Sequence, residues 1–326
     1  MEKRRLGLTA IEVTPIGLGC WQFSQGQGLM GNTWGMVDQE TITSIVRTAR
    51  AGGVSWFDTA EAYGNGRSEQ MLSAALQATG TKPGEAVIAT KWQPFFRRSD
   101  SIGKTIDRRI ECLAPYPIDL YQIHNPMSFS PIPVQMREMA RLLRAGKIKA
   151  VGVSNFNVRQ MEQAHAILKA EGVTLASNQV RINLLNRKIE DNGVLSAAKK
   201  LGVTLIAYSR LAQGILTGRF HHDRQASRKV SGIRRLIGGH GEKSIARTRP
   251  LIDELEAIAK AYDTTAAQVA LSWLITYYGP TVVAIPGATR PAQAEQVAAA
   301  MSLRLTSAEM SRLDETSRKC RGRSAK

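Results

Sequence analysis

The stretch WFDTAEAYG, residues 56–64, places a carboxylate, Asp58, and a phenol, Tyr63, at the end of an apolar run. Two more polar groups stand in comparable places: Lys91 in ATKW and His124 in QIHNP. Singly, each has an ordinary role. Asp58 suits a helix cap, Lys91 a surface charge, His124 a satisfied core histidine and Tyr63 simple packing. As a set they suit one task. A phenol at its usual pKa of about 10 is a poor proton donor at neutral pH. A nearby ammonium stabilises the phenolate and lowers that pKa, while a carboxylate holds the ammonium charged and in place. A neutral imidazole hydrogen-bonds the same substrate oxygen and polarises it. The ensemble is a proton donor for a carbonyl oxygen, provided that the fold brings the four together.

Apolar β-type runs alternate with amphipathic stretches nearly to the end of the chain. The strand candidates are 15–21, 54–60, 86–92, 119–125, 150–156, 176–180, 203–209 and 281–288. Several are apolar on consecutive positions, as strands covered on both faces should be. Helical segments include 39–52, 67–79, 133–145, 157–171, 190–201, 251–262 and 265–278, with final helices in 289–301 and 306–320. Many end at a glycine (Gly52, Gly80, Gly146, Gly172, Gly202), which suits a left-handed closing residue. Eight strand–helix units predict an α/β fold, a (β/α)8 TIM barrel, with a doubly wound sheet as the competitor. No linker interrupts the 326 residues, so one domain is expected. It carries a basic insertion after the seventh strand, about 219–250, and a basic tail, about 318–326. In such a barrel chemistry belongs at the C-terminal ends of the strands, where Asp58, Lys91 and His124 fall.

Hydrophobic residues make up 43% and charged residues 22%, the composition of a soluble globular protein. No apolar run approaches a membrane span of about 20 residues, and the start shows no secretory signal. Three scattered cysteines argue for a reducing compartment, with cytoplasm the default, and against a zinc site, so no metal is expected. The formal charge of +17 suggests a phosphorylated ligand, an acidic membrane surface or nucleic acid. Nine basic residues crowd Arg219–Arg249, but Phe220 is the only aromatic there, so specific nucleic-acid binding is not expected. GQGLMG, residues 26–31, matches the G-x-G-x-x-G pattern, yet it neither opens a helix nor has an acid about 20 residues on. It reads as a loop at the barrel mouth.

The segments GVSWFDTAEAYGNGRSE, IATKW, LYQIHNP, AVGVSNF, SNQV, AYSRLAQGILTGRF and IPGATRPAQAEQ resemble the signatures of the aldo-keto reductases, in that family's order, over about residues 3–318. The resemblance implies an Asp58–Tyr63–Lys91–His124 tetrad and a nicotinamide cofactor, usually NADPH, bound without a Rossmann domain. It implies that Ser154, Asn155 and Gln179 fix the carboxamide and that Tyr208 stacks on the nicotinamide. Leu211, Gln213, Gly214 and Arg219 then fold over the pyrophosphate, and Gly287, Thr289, Arg290 and Gln293 hold the 2′-phosphate. Trp21, Ser209, Arg210 and Gln296 complete the expected cofactor set. The sequence departs from the family in three places: Arg210 stands where proline is common, Gln296–Val297 where Glu-Asn is frequent, and the basic insertion has no clear counterpart. Trp21, Trp34, Trp92 and Phe129 are candidates for lining the substrate pocket or for packing. The implied function is NADPH-dependent reduction of aldehydes or ketones, with a small-molecule carbonyl as partner. The alternative is a non-turnover cofactor-binding subunit resembling the potassium-channel β-subunits. Substrate, physiological direction and oligomeric state have no signature in the sequence.

Overall fold

The computed structural model describes residues 2–26, 36–223 and 241–321. Trp34, all but Gly26 of GQGLMG, residues 224–240 of the expected insertion and residues 322–326 of the tail lie outside the described residues. An antiparallel hairpin, β1 (Arg4–Arg5) and β2 (Glu12–Val13), opens the chain. Eight parallel strands follow: β3 (Leu18–Gly19), β4 (Trp56–Asp58), β5 (Val87–Trp92), β6 (Leu120–Ile123), β7 (Ala150–Ser154), β8 (Leu175–Arg181), β9 (Thr204–Tyr208) and β10 (Val282–Ala284). They pair in sequence order. The ring closes where Gly17 N–H donates to Ala284 O and Gly19 N–H to Pro286 O, both at 2.8 Å. The expected barrel is the observed one, and the doubly wound alternative falls.

Around it lie α1 (Gln39–Ala51), α2 (Arg67–Ala78), α3 (Asp100–Leu113), α4 (Ile132–Arg144), α5 (Val158–Ala170), α6 (Lys188–Asp191), α7 (Val194–Leu201), α8 (Arg219–His222), α9 (Glu242–Ala261), α10 (Ala266–Tyr277), α11 (Pro291–Ala299) and α12 (Ser307–Cys320). The hairpin and α3 add to the expected elements. Helix α9 begins at Glu242 and not near 251, because Pro250 is accommodated inside the helix. No helix among the described residues is long and apolar enough to cross a membrane. Of the five closing glycines, Gly52 departs from expectation: its φ is −78°, and the neighbouring Gly53 takes the left-handed turn at +87°. Gly52 is needed for space instead, since a Cβ there would stand 2.4 Å from that of Ala298 on α11.

Two apolar layers follow from the two-residue period of the strands. One fills the space between sheet and helices. The other fills the barrel from below, with Trp56, Ala89, Leu120, Ala150, Ile206 and Val283 over Leu6 and Val13 of the hairpin. Two residues further along the same inward-facing positions come Asp58, Lys91 and Gln122. The polar layer thus sits on an apolar plug at the C-terminal mouth, where side chains are cut off from water from beneath.

Candidate active site

Asp58 and Lys91 are buried, and the Lys91 Nζ donates to Asp58 Oδ1 at 2.5 Å and to Thr59 O at 2.7 Å. The other carboxylate oxygen, Asp58 Oδ2, accepts from Gln122 Nε2 at 3.2 Å and from Gln179 Nε2 at 2.9 Å. Ser177 Oγ donates in turn to Gln122 Oε1 at 3.5 Å. Room for this cluster comes from Gly152, where a Cβ would lie 2.4 Å from Ser177 Oγ and 2.9 Å from Gln122 Cγ. Buried charges persist only when paired and hydrogen-bonded, and Asp58 meets both conditions.

Tyr63 sits in the turn after β4. That turn is tied to the loop after β5: Glu61 accepts from the Gln93 backbone N–H at 2.6 Å and pairs with Arg97. The Lys91 Nζ lies 5.0 Å from the Tyr63 ring centre. His124, whose N–H donates to Trp92 O, meets Tyr63 edge-on with ring centres 5.7 Å apart. Trp21 stacks on Tyr63 with ring centres 6.0 Å apart and planes at 24°. All four expected catalytic side chains are therefore brought together.

Their electrostatics correct one expectation. Burial pushes the Tyr63 hydroxyl above its usual pKa, and the opposing pull of Lys91 does not overcome it. Burial works against the Lys91 ammonium, but Asp58 and Tyr63 together hold its pKa above the ordinary value. Burial, then the Lys91 charge, drives His124 down to about 3. At neutral pH the site holds a protonated phenol, an ammonium and a neutral imidazole whose buried Nδ1 has no partner among the described residues.

The groups expected at the cofactor form a second, contiguous set. Ser154 Oγ donates to Gln179 O at 2.9 Å, Asn155 Nδ2 to Ser154 Oγ at 3.1 Å, and Tyr208 OH to Asn155 Oδ1 at 2.9 Å. Gln179 thus serves both sets, its amide nitrogen on Asp58 and its carbonyl under Ser154. Beyond β9 the chain turns through left-handed Ser209 (φ +51°), Ala212 (+48°), Gln213 (+58°) and Gly214 (+95°), with Gly214 N–H on Leu211 O. Arg219 follows on α8. After β10, Thr289 N–H donates to Gln293 Oε1 at 2.8 Å, and Arg290 precedes the first turn of α11. No side chain caps that helix start. Gly287 and Gln296 flank the same segment; Gln296 is partly exposed, whereas Val297 is buried in the core. Among the pocket candidates, Trp21 borders Tyr63, Trp92 is core packing with its indole N–H on Ser101, and Phe129 is exposed against Phe96.

Sequence reasoning missed Gln122. Its signal was available: it is the one amide in the apolar strand LYQI, on the inward parity of Leu120. Arg210, expected in the cofactor set and noted as a departure from the family, proves to be partly buried, and Asp58 and Tyr63 both act on it.

A family model for the Aldo/keto reductase family matches residues 15–318. The chain is 37% identical over 314 residues to the uncharacterized oxidoreductase Rv2298 of Mycobacterium tuberculosis, covering 94% of this chain and 90% of that protein. It is 31% identical over 304 residues to the aldo-keto reductase YhdN of Bacillus subtilis, covering 90% and 87% respectively. Among solved structures, the glycerol dehydrogenase AKR11B4 from Gluconobacter oxydans is similar at a TM-score of 0.82 and 29% identity, over 96% of this chain and 94% of that one.

Proposed function

The chain belongs to the aldo/keto reductase family, a family of oxidoreductases, and we propose that it reduces aldehydes or ketones with NADPH, Tyr63 being the proton donor. The observation that carries this reading is the buried Asp58–Lys91 pair set beneath Tyr63, with His124 beside it. When bound, the cofactor supplies a hydride to the carbonyl carbon. The rest of the chemistry is the chain's own. Tyr63 carries its proton at neutral pH, as any phenol does, and burial holds its pKa above the ordinary value. As the carbonyl oxygen gains negative charge, Tyr63 gives up that proton and an alcohol results. The phenolate left behind faces the Lys91 ammonium, and a fixed opposite charge stabilises what develops in the transition state without reorganisation. Asp58 keeps Lys91 charged, and Gln122 and Gln179 keep Asp58 in place. Neutral His124 orients the substrate oxygen.

Two observations support the cofactor. Tyr208 offers a partly exposed ring held by Asn155, a surface for a flat heterocycle. Neither Arg219 nor Arg290 has an ion-pair partner among the described residues, and Arg290 stands at an uncapped helix start, where phosphates bind well. In this reading Ser154, Asn155 and Gln179 hold the carboxamide, Leu211, Gln213 and Gly214 with Arg219 cover the pyrophosphate, and Gly287, Thr289, Arg290 and Gln293 take the 2′-phosphate, while Arg210 is released from the cofactor set. The three cysteines, all buried and unpaired, fit a reducing cytoplasm. The test is NADPH oxidation across a panel of aldehydes, ketones and keto-sugars. Turnover of none of them, with NADPH bound, would favour the cofactor-binding-subunit alternative.

A further inference from the structure

Arg210 stands directly after β9 and the left-handed Ser209, whose carbonyl is held by Asn183 Nδ2 at 2.8 Å. Its Nε is buried without a partner among the described residues, and its Nη1 has one long bond, 3.4 Å, to Ala207 O. No carboxylate among the described residues pairs with it. A buried nitrogen without a partner is not peculiar to Arg210, since Arg109 Nε and Arg187 Nη2 share it, but the fold balances those charges: Arg109 meets Glu69 at 2.6 Å, and Arg187 meets Glu190 at 2.6 Å and Asp314 at 2.5 Å. Arg210 stands two residues beyond Tyr208, whose hydroxyl donates to Asn155 in the set that Gln179 joins to Asp58, and the charges that act on it are those of Asp58 and Tyr63. Asp58 does not neutralise it, since both carboxylate oxygens are taken by Lys91, Gln122 and Gln179. Burial pulls the guanidinium down to about 9, which still leaves it charged at neutral pH. With His124 neutral, Lys91 and Arg210 against Asp58 leave one net positive charge among these groups, and Arg181, 5.9 Å from the Tyr208 ring centre, adds to it. A half-buried cation in such a place is stabilised by an anion that arrives with a ligand.

We propose that Arg210 is the anion-binding end of the substrate site, and that the preferred substrates are aldehydes or ketones that carry a carboxylate. The proposal rests on the carbonyl-reductase reading and narrows its substrate class. A carboxylate of the substrate is favoured over a cofactor phosphate because Arg210 lies within the field of the groups that meet the carbonyl. Arg219 and Arg290, further along the chain, are left for the phosphates.

The test compares 4-carboxybenzaldehyde with its methyl ester, and succinic semialdehyde with butanal, on the full-length protein with NADPH. The wild type should favour each acid by about 10–100-fold in kcat/KM, expressed mainly in KM, the usual worth of one charge-assisted contact. In Arg210→Gln the acid-to-neutral ratio should fall to about one, while NADPH titrated by fluorescence keeps its affinity within about threefold. A wild type that reduces neutral and acidic carbonyls equally well overturns the proposal and leaves the reductase reading standing, with no need of a folded variant. A variant that loses NADPH affinity and slows on all substrates alike overturns it too, and assigns Arg210 to a cofactor phosphate. A wild type that reduces no carbonyl sinks both readings.

Discussion

Arg187 and the barrel mouth both put cationic side chains out of water, and the fold completes them in opposite ways. Arg187 is fully buried between α6, α10 and α12. Glu190 and Asp314 balance its charge, and its guanidinium lies 4.8 Å from the Trp273 ring centre and 4.6 Å from that of Tyr277. Tyr278 and Arg321 close on Glu190 in turn. Every partner comes from the chain itself, so this knot is a clamp for the C-terminal helix. At the mouth, among the described residues, the partly buried Arg210 has no carboxylate and the buried His124 Nδ1 has no partner, while Arg290, exposed on the rim, has no carboxylate either. Arg187 Nη2 and Arg321 Nε lack partners too, so the distinction lies in charge: a cation balanced by carboxylates points to stability, whereas one left unbalanced in a cleft points to a ligand. The same residue type thus reads as structure in one place and as function in the other.

The largest effect expected from this contrast is Tyr63→Phe. The ring's packing on Trp21 and His124 survives, so NADPH binding and stability should change little. Carbonyl reduction should fall by about 10²–10⁴-fold, the usual worth of a positioned general acid. Single-turnover kinetics in which the variant reduces substrate at the wild-type rate would remove Tyr63 from the chemistry. Arg187→Met is the converse variant. Removing the cation between Glu190 and Asp314, with Arg318 and Arg321 left to offset part of their charge, should cost about 1–3 kcal/mol of stability, less than a fully uncompensated buried charge would, read by urea denaturation, with KM for substrate and for NADPH unaltered in the protein that folds. A Met variant as stable as wild type would mean that the knot is not a clamp.

The two regions also differ in how far the sequence discloses them. The convergence of the four was legible because Asp58, Lys91 and His124 close apolar runs, Tyr63 follows in the turn after the first of these, and barrel topology sends strand ends to one mouth. Gln122 lies 64 positions from Asp58, and Gln179 lies 121 from it. Their convergence on one carboxylate depends on inward parity and on the space at Gly152, which no local pattern announces. The direction of the Tyr63 shift was misjudged for a related reason: a nearby lysine is visible in sequence, whereas the depth of burial that outweighs it is not. Arg210 was hidden by its backbone. Ser209, Ala212 and Gln213 adopt left-handed conformations that non-glycine residues seldom take, so the path of that loop had no signature. The knot was unreadable for want of locality, as Arg187 and Asp314 come from opposite ends of a late stretch of chain.

Arg290→Ala sharpens the contrast from the rim of the mouth. If this unpaired cation awaits a 2′-phosphate, NADPH binding should weaken by about 1–3 kcal/mol, the range for loss of a charged hydrogen-bond partner, and NADH binding should stay nearly constant. Fluorescence titration of both cofactors separates the outcomes, and equal weakening of both would move Arg290 away from the 2′-phosphate.

The smallest effect concerns His124 and pH. Burial first, then the Lys91 charge, lowers its pKa from the usual 6.5 to about 3 in the folded chain. Between those values the unfolded chain binds a proton that the folded chain refuses, so stability rises with pH across this window and falls on acidification. Going from pH 7 to pH 5 should therefore remove about 1 kcal/mol through this group; partial solvent access keeps the figure modest. In His124→Asn that component disappears, and the gap between urea-derived stabilities at pH 7 and pH 5 should narrow by a like amount. The same neutrality predicts that kcat/KM shows no break near pH 6.5, because the imidazole is already uncharged on both sides of it. An acid limb at that pH, present in wild type and absent in His124→Asn, would mean that His124 titrates as an ordinary exposed imidazole. The mouth would then be wetter than its burial implies, and its unpartnered groups would carry correspondingly less weight as marks of a ligand.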